Sequence, residues 1–113
     1  MTARGRVIFT AGLVGWNPST GEFESDDLTD QVAQTLRNIV AALAAARAEP
    51  RHLVRMTWYV TDRDSYLKAR PKIGERYRDI IGRFFPAMAV VFVSALVESE
   101  AKVEIEATAV VDD

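Results

Sequence analysis

From Met88 to Leu96 every position but Ser94 is apolar, whereas Val103 to Val111 reads V-E-I-E-A-T-A-V-V. The second pattern alternates with period two. It puts Glu104, Glu106 and Thr108 on one face of a strand and Val103, Ile105, Ala107 and Ala109 on the other. The first pattern is a strand apolar on both faces, which expects cover on both sides. The Glu-bearing face is therefore predicted to meet another subunit or to line a cleft. Upstream, Arg6 to Leu13 reads as a strand with breaks or bulges at Gly12 and Gly15, and Asn17-Pro18-Ser19-Thr20-Gly21 as a turn. Asp27 is placed to cap a helix whose apolar positions Leu28, Val32, Leu36, Ile39, Val40 and Leu43 recur at helical spacing until Pro50 stops it. Leu53 to Thr61 returns to period two, with Val54, Met56, Trp58 and Val60 opposite Arg55, Thr57, Tyr59 and Thr61. A second helix, capped by Asp62 or Asp64, runs toward Phe84 with a kink or restart expected at Pro71.

The order strand, hairpin, helix, strand, helix, strand, strand predicts an α+β, two-layer sandwich: a mixed sheet with two helices on one face. With Val90 and Phe92 on the strand face opposite Ala89, Val91 and Val93, the uncovered side of that sheet is too apolar for water. A closed homo-oligomer is the expected solution.

Composition narrows the function classes. The 113 residues suit one domain over 1–113, and 49% apolar with 27% charged content argues against disorder. A formal charge of −2 supplies no general pull toward nucleic acid or an anionic membrane. Cysteine is absent, which removes disulfides and thiolate chemistry, and the single histidine, His52, has no imidazole partner for a metal. The apolar run Val7-Ile8-Phe9 is too short for a signal-peptide core or a membrane span, so a cytoplasmic location is expected.

Several short motifs then occur in one order: Gly12 with Asn17-Pro18-x-Thr20-Gly21, Gln31-x-x-Gln34-Thr35-Leu36-x-Asn38, Val54-x-x-Thr57-x-Tyr59-Val60-x-Asp62, Pro86-Ala87, and Val103-Glu104-Ile105-Glu106-Ala107-x-Ala109. Together, over nearly the whole chain, they resemble the Rid (reactive intermediate or imine deaminase, YjgF) family. The resemblance implies a chorismate-mutase-like subunit in a barrel-like homotrimer, with small-molecule clefts at the three subunit interfaces. It also implies hydrolysis of 2-imino acids or their enamines to 2-keto acids and ammonia, without metal or organic cofactor. In such proteins the motif Pro-Ala-Arg supplies a bidentate clamp for the substrate carboxylate. Here that arginine is replaced by Met88, which carries no charge. Ala11-Gly12-Leu13 stands where the family has Ser-Gly-Gln, Arg47 where it has a glycine after the first helix, and Val90 where it often has cysteine.

By this resemblance Glu104 is the catalytic carboxylate that orients water; Met88, Val90, Leu13 and Arg70 at the aligned positions, with Phe92 and Tyr59 from the facing of their strands, are the candidate ligand-binding set, and a trimer contact is the alternative for Tyr59. Met88, Val90 and Phe92 are expected to dry the surroundings of Glu104, and Arg70 is a candidate substitute for the missing cation. Each has a plainer counterpart: Glu104 or Glu106 as half of an intersubunit ion pair, Met88 as packing, Arg70 as a solvated helix arginine, Trp16 as a hairpin staple, His52 as a solvated strand start. Arg70, Lys72, Arg76, Arg78 and Arg83 mingle with Glu75 and Asp79, so the ribonuclease activity described for some relatives finds no basic stripe. Three readings follow: an imine or enamine hydrolase of nonstandard substrate, a noncatalytic trimer binding a metabolite, or a scaffold or regulatory protein.

Overall fold

A computed structural model describes residues 1–113. The strands and helices in chain order are β1 (Arg6–Phe9), β2 (Leu13–Val14), α1 (Leu28–Ala45), β3 (Leu53–Val60), α2 (Arg63–Ile80), β4 (Ala87–Phe92) and β5 (Val103–Val111), with a short 3-10 turn at Pro50–His52. The sheet runs β1-β5-β3-β4, and β2 also pairs with β5. Only β3 and β4 are parallel. Both helices lie on one face, as the α+β sandwich requires, and no helix is long and apolar enough to cross a membrane.

The core lies between the helices and that sheet face. Leu28, Val32, Leu36, Ile39 and Leu43 of α1 meet Met56, Trp58 and Val60 of β3 and Val103, Ile105, Ala107 and Ala109 of β5. Burying each large aliphatic side chain there stabilises the fold by about 1.5–3 kcal/mol. The helical spacing and the period-two spacing from Met56 onward are therefore the two surfaces of one core, but an irregularity between Leu53 and Arg55 breaks the alternation, so that Leu53 and not Val54 joins it.

Both helix starts fall where expected. The Asp27 carboxylate accepts the Asp30 N–H at 3.0 Å, and that of Asp62 accepts the Ser65 N–H at 3.1 Å. The bonds from Ser65 hold the Asp62 carboxyl below its ordinary range. Its folded value being the lower, the stability it lends is present above the unfolded value and is lost as pH falls through the folded one. The second helix does not restart at Pro71: α2 is continuous from Arg63 to Ile80 with Pro71 inside it. Proline removes one bond, to the carbonyl of exposed Leu67, and buried Ile73 and Tyr77 hold the turns that follow.

The N-terminal strand divides in two. Thr10 donates its N–H to the Ala107 carbonyl, while its hydroxyl accepts the Ala107 N–H, each at 2.9 Å. A side chain thus takes the place of a backbone acceptor, and the chain leaves the ladder until Leu13.

Helix α1 ends in a Schellman motif, with Ala48 N–H bonded to Leu43 O and Arg47 N–H to Ala44 O. This closure places Arg47 at φ 60°, a left-handed conformation that suits glycine. Arg47→Gly is therefore expected to raise unfolding stability by about 1 kcal/mol, read as a higher denaturant midpoint at unchanged m-value.

Candidate functional site

Strand register decides which side chains can meet. In β5 the core face is Val103, Ile105, Ala107 and Ala109, so Glu104, Glu106 and Thr108 look away from the helices. Tyr59 is the cross-strand neighbour of Glu104, and Thr57 that of Glu106. The Tyr59 hydroxyl donates to Glu106 Oε1 at 2.8 Å. That bond, then desolvation, then the charges of Glu106 and Glu104 raise the phenol above its ordinary value, so Tyr59 stays a donor at neutral pH.

Strand β4 corrects one expectation. Met88, Val90 and Phe92 pair in parallel register with Met56, Trp58 and Val60, all core residues. They therefore face the helices: Val90 packs on the core, and the Phe92 ring lies edge-on to Tyr66 of α2 at 5.8 Å. Within one chain none of the three can dry Glu104. The β4 residues on the open face are Ala89 and Val91, opposite Thr57 and Tyr59. An unbroken apolar strand carries no parity of its own; its partner sets it. Arg70 is exposed on α2 and lies outside the cavity that holds Glu104.

Glu104 lies against the backbone of Gly12. A Cβ at Gly12 would fall 2.7 Å from Glu104 Oε2 and 2.9 Å from its Cδ, so the absence of a side chain there seats the carboxylate. Together they line a cavity of about 380 Å³ whose walls include Leu13, Val14, Trp16, Asn38, Val97 and Glu98. Asn38 secures the β2 wall to α1: its amide nitrogen donates to the carbonyls of Val14 and Trp16, both at 3.0 Å, and its oxygen accepts from Gln34 at 2.9 Å. Gly15 permits this close approach, since a Cβ there would lie 2.5 Å from the Gln31 carbonyl oxygen. Trp16 both lines the cavity and packs on Phe23 across the hairpin, with ring centroids 6.0 Å apart. His52 is not simply solvated; its Nδ1 accepts the Glu49 N–H at 2.9 Å.

Two larger depressions lie elsewhere. One, of about 1080 Å³, is an open crevice between Phe23–Asp26 and Ser94–Leu96; the other, of about 670 Å³, lies at the starts of both helices. Neither includes Glu104. The smaller cavity is the better candidate, because it joins a carboxylate to apolar walls. No group of three or more histidine, aspartate or glutamate side chains is arranged to hold a metal ion. The sequence alone points to Glu104 and Leu13, but not to the seat at Gly12, the anchoring by Asn38, or Val97 and Glu98. The motifs do contain Gly12 and Asn38, whereas the Val97–Glu98 loop has no pattern to find.

A family model described as Endoribonuclease L-PSP matches residues 1–111. The chain belongs to this family, the Rid or YjgF proteins. Among Rid relatives, a RutC family protein of Pyrococcus horikoshii is 35% identical over 93% of this chain and 79% of its own length. The human 2-iminobutanoate/2-iminopropanoate deaminase is 30% identical over 93% of this chain and 73% of its own. The crystal structure of Escherichia coli TdcF with bound serine superposes with a TM-score of 0.81 at 31% identity, covering 98% of this chain and 85% of that one. The two-layer sandwich is thus the Rid, chorismate-mutase-like fold.

Proposed function

We propose that this Rid protein hydrolyses an imine or enamine metabolite of nonstandard type in the cytoplasm, with Glu104 as the group that orients and deprotonates water. The observation that carries the reading is the Glu104 carboxylate seated on Gly12 in an otherwise largely apolar cavity. A carboxylate held there is within reach of a water positioned for an adjacent electrophilic carbon. Deaminase relatives such as the human protein supply the reaction class.

The chain acts as a homotrimer in this reading, one domain per subunit. The open sheet face supports it: Val7, Phe9 and Val91 are exposed there, Phe9 to 76%. The free edge at β4 presents Met88, which can approach a Glu104 cavity only from a neighbouring subunit, and the ligand clefts then lie at the subunit interfaces. Light scattering should give a trimer, and Val91→Asp should dissociate or unfold it; a clean wild-type monomer at micromolar concentration rules the assembly out.

The test of activity is keto-acid release from 2-iminobutanoate generated in situ, compared with the spontaneous rate. Because Met88 cannot pair with a carboxylate, acceleration of this substrate should be weak. Met88→Arg should raise it on the order of tenfold or more, the worth of a charged hydrogen bond. Wild-type turnover already matching that of arginine-bearing relatives would remove Met88 as a determinant of substrate choice. A noncatalytic metabolite-binding trimer, which the loss of the clamp also favours, predicts no turnover on any imine.

A further inference from the structure

We propose that the Glu104 cavity takes a cationic imine: an iminium ion bearing a short apolar group and no carboxylate. The inference rests on the imine-hydrolase reading and names the substrate class of the same site. The walls carry two carboxylates, Glu98 and Glu104, and no lysine, arginine or histidine. The remaining surface is mainly Leu13, Val14, Trp16, Pro18 and Val97 with small alanines. An anionic substrate would meet two like charges and no compensating cation from this subunit, and the neighbour's β4 edge, apolar from Ala87 to Val93, adds none. Nor can Asn38 help, because both amide hydrogens already go to the Val14 and Trp16 carbonyls. The other side-chain donor is the neutral indole of Trp16.

A cation meets the opposite conditions. It is attracted by both carboxylates, and the wall includes the aromatic ring of Trp16, which is packed on Phe23 and is of the residue type that best tolerates a nearby positive charge. The apolar walls suit a short hydrocarbon group. Protonation of the imine nitrogen already makes its carbon electrophilic, so the reaction needs no second cation from the protein.

The step balances as one iminium ion plus one water giving one carbonyl compound plus one ammonium ion. Glu104 takes a proton as the water oxygen bonds to the imine carbon, then returns it to nitrogen. The second proton of that water also passes to nitrogen as the carbon–nitrogen bond breaks and the carbonyl forms. One positive charge enters and one leaves, with no change of oxidation state. Two-electron oxidation of a primary amine is the class of reaction that supplies such an imine.

The proposal is tested on the native protein by calorimetric titration with two unreactive probes of matched shape, isopentylammonium and 4-methylpentanoate. The ammonium should bind on the order of tenfold or more tightly than the carboxylate, and Glu98→Gln should narrow that ratio several-fold. Equal or tighter binding of the carboxylate, or no ammonium binding at millimolar concentration, overturns the inference. A parallel assay separates it from the hydrolase reading, comparing ammonia release from the imine of isopentylamine, made in situ by an amine oxidase, with release from 2-iminobutanoate. Ammonium preference without acceleration of either imine upholds the ligand class and refutes the hydrolase. Faster hydrolysis of 2-iminobutanoate with preference for the carboxylate upholds the hydrolase and refutes the cationic substrate.

Discussion

Glu104→Gln is expected to reduce turnover of any imine the protein accepts by roughly a hundredfold, the scale for losing a general base, while the assembly stays intact. The substitution keeps shape and hydrogen-bonding capacity but removes the charge and the proton acceptor. If Glu104 is instead half of an intersubunit ion pair, the change weakens the proposed trimer and leaves chemistry nearly untouched; turnover and light scattering on one preparation separate the two. Gly12→Ala supplies an independent arm. Its new methyl would sit 2.7 Å from the end of the Glu104 side chain, so the carboxylate must swing aside. A flexible side-chain end yields at small cost to stability, so activity should fall steeply with little change in melting temperature. Full activity in both variants would remove Glu104 from the mechanism.

Gln31→Ala is expected to cost about 4 kcal/mol of folding stability, from the loss of three bonds at a buried site at roughly 1–3 kcal/mol for each partner left unsatisfied. The Gln31 amide donates to the carbonyls of Ser25 and Glu100, both at 3.0 Å, and its oxygen accepts the Lys102 N–H at 2.8 Å. One side chain therefore joins the segment entering α1 to the segment entering β5. The loss should appear as a lower denaturant midpoint in equilibrium unfolding. A drop below about 1 kcal/mol would show that water replaces the amide in all three contacts.

The elements whose marks lie within themselves were readable from the chain. Helix α1 announced itself through Asp27 and the spacing from Leu28 to Leu43, and β5 through the alternation around Glu104 and Glu106. Features decided by a partner were not. The facing of β4 depends on register with β3, because Met88–Phe92 is apolar throughout. The continuity of α2 through Pro71 depends on packing of Ile73 and Tyr77, which outweighs one missing bond. The break after Phe9 depends on the Thr10 hydroxyl reaching Ala107. For the candidate site, the pattern showed two carboxylates, Glu104 and Glu106, on one face of an apolar strand, and only the resemblance to Rid proteins singled out Glu104. Its seat on Gly12 and its companion Glu98 were not, since only the folded sheet brings those segments together.

Strand β5 pairs with β1, β2 and β3, and it is the last of the five strands to be synthesised. While the nascent chain emerges, β1 and β2 have no strand to dock on, and β3 can pair only with β4. Consolidation of the sheet must wait for Val103–Val111 to leave the ribosome. Until then the apolar faces of α1 and β3 stay partly uncovered, so the interval before β5 emerges is when this chain is most exposed to aggregation and to chaperone capture.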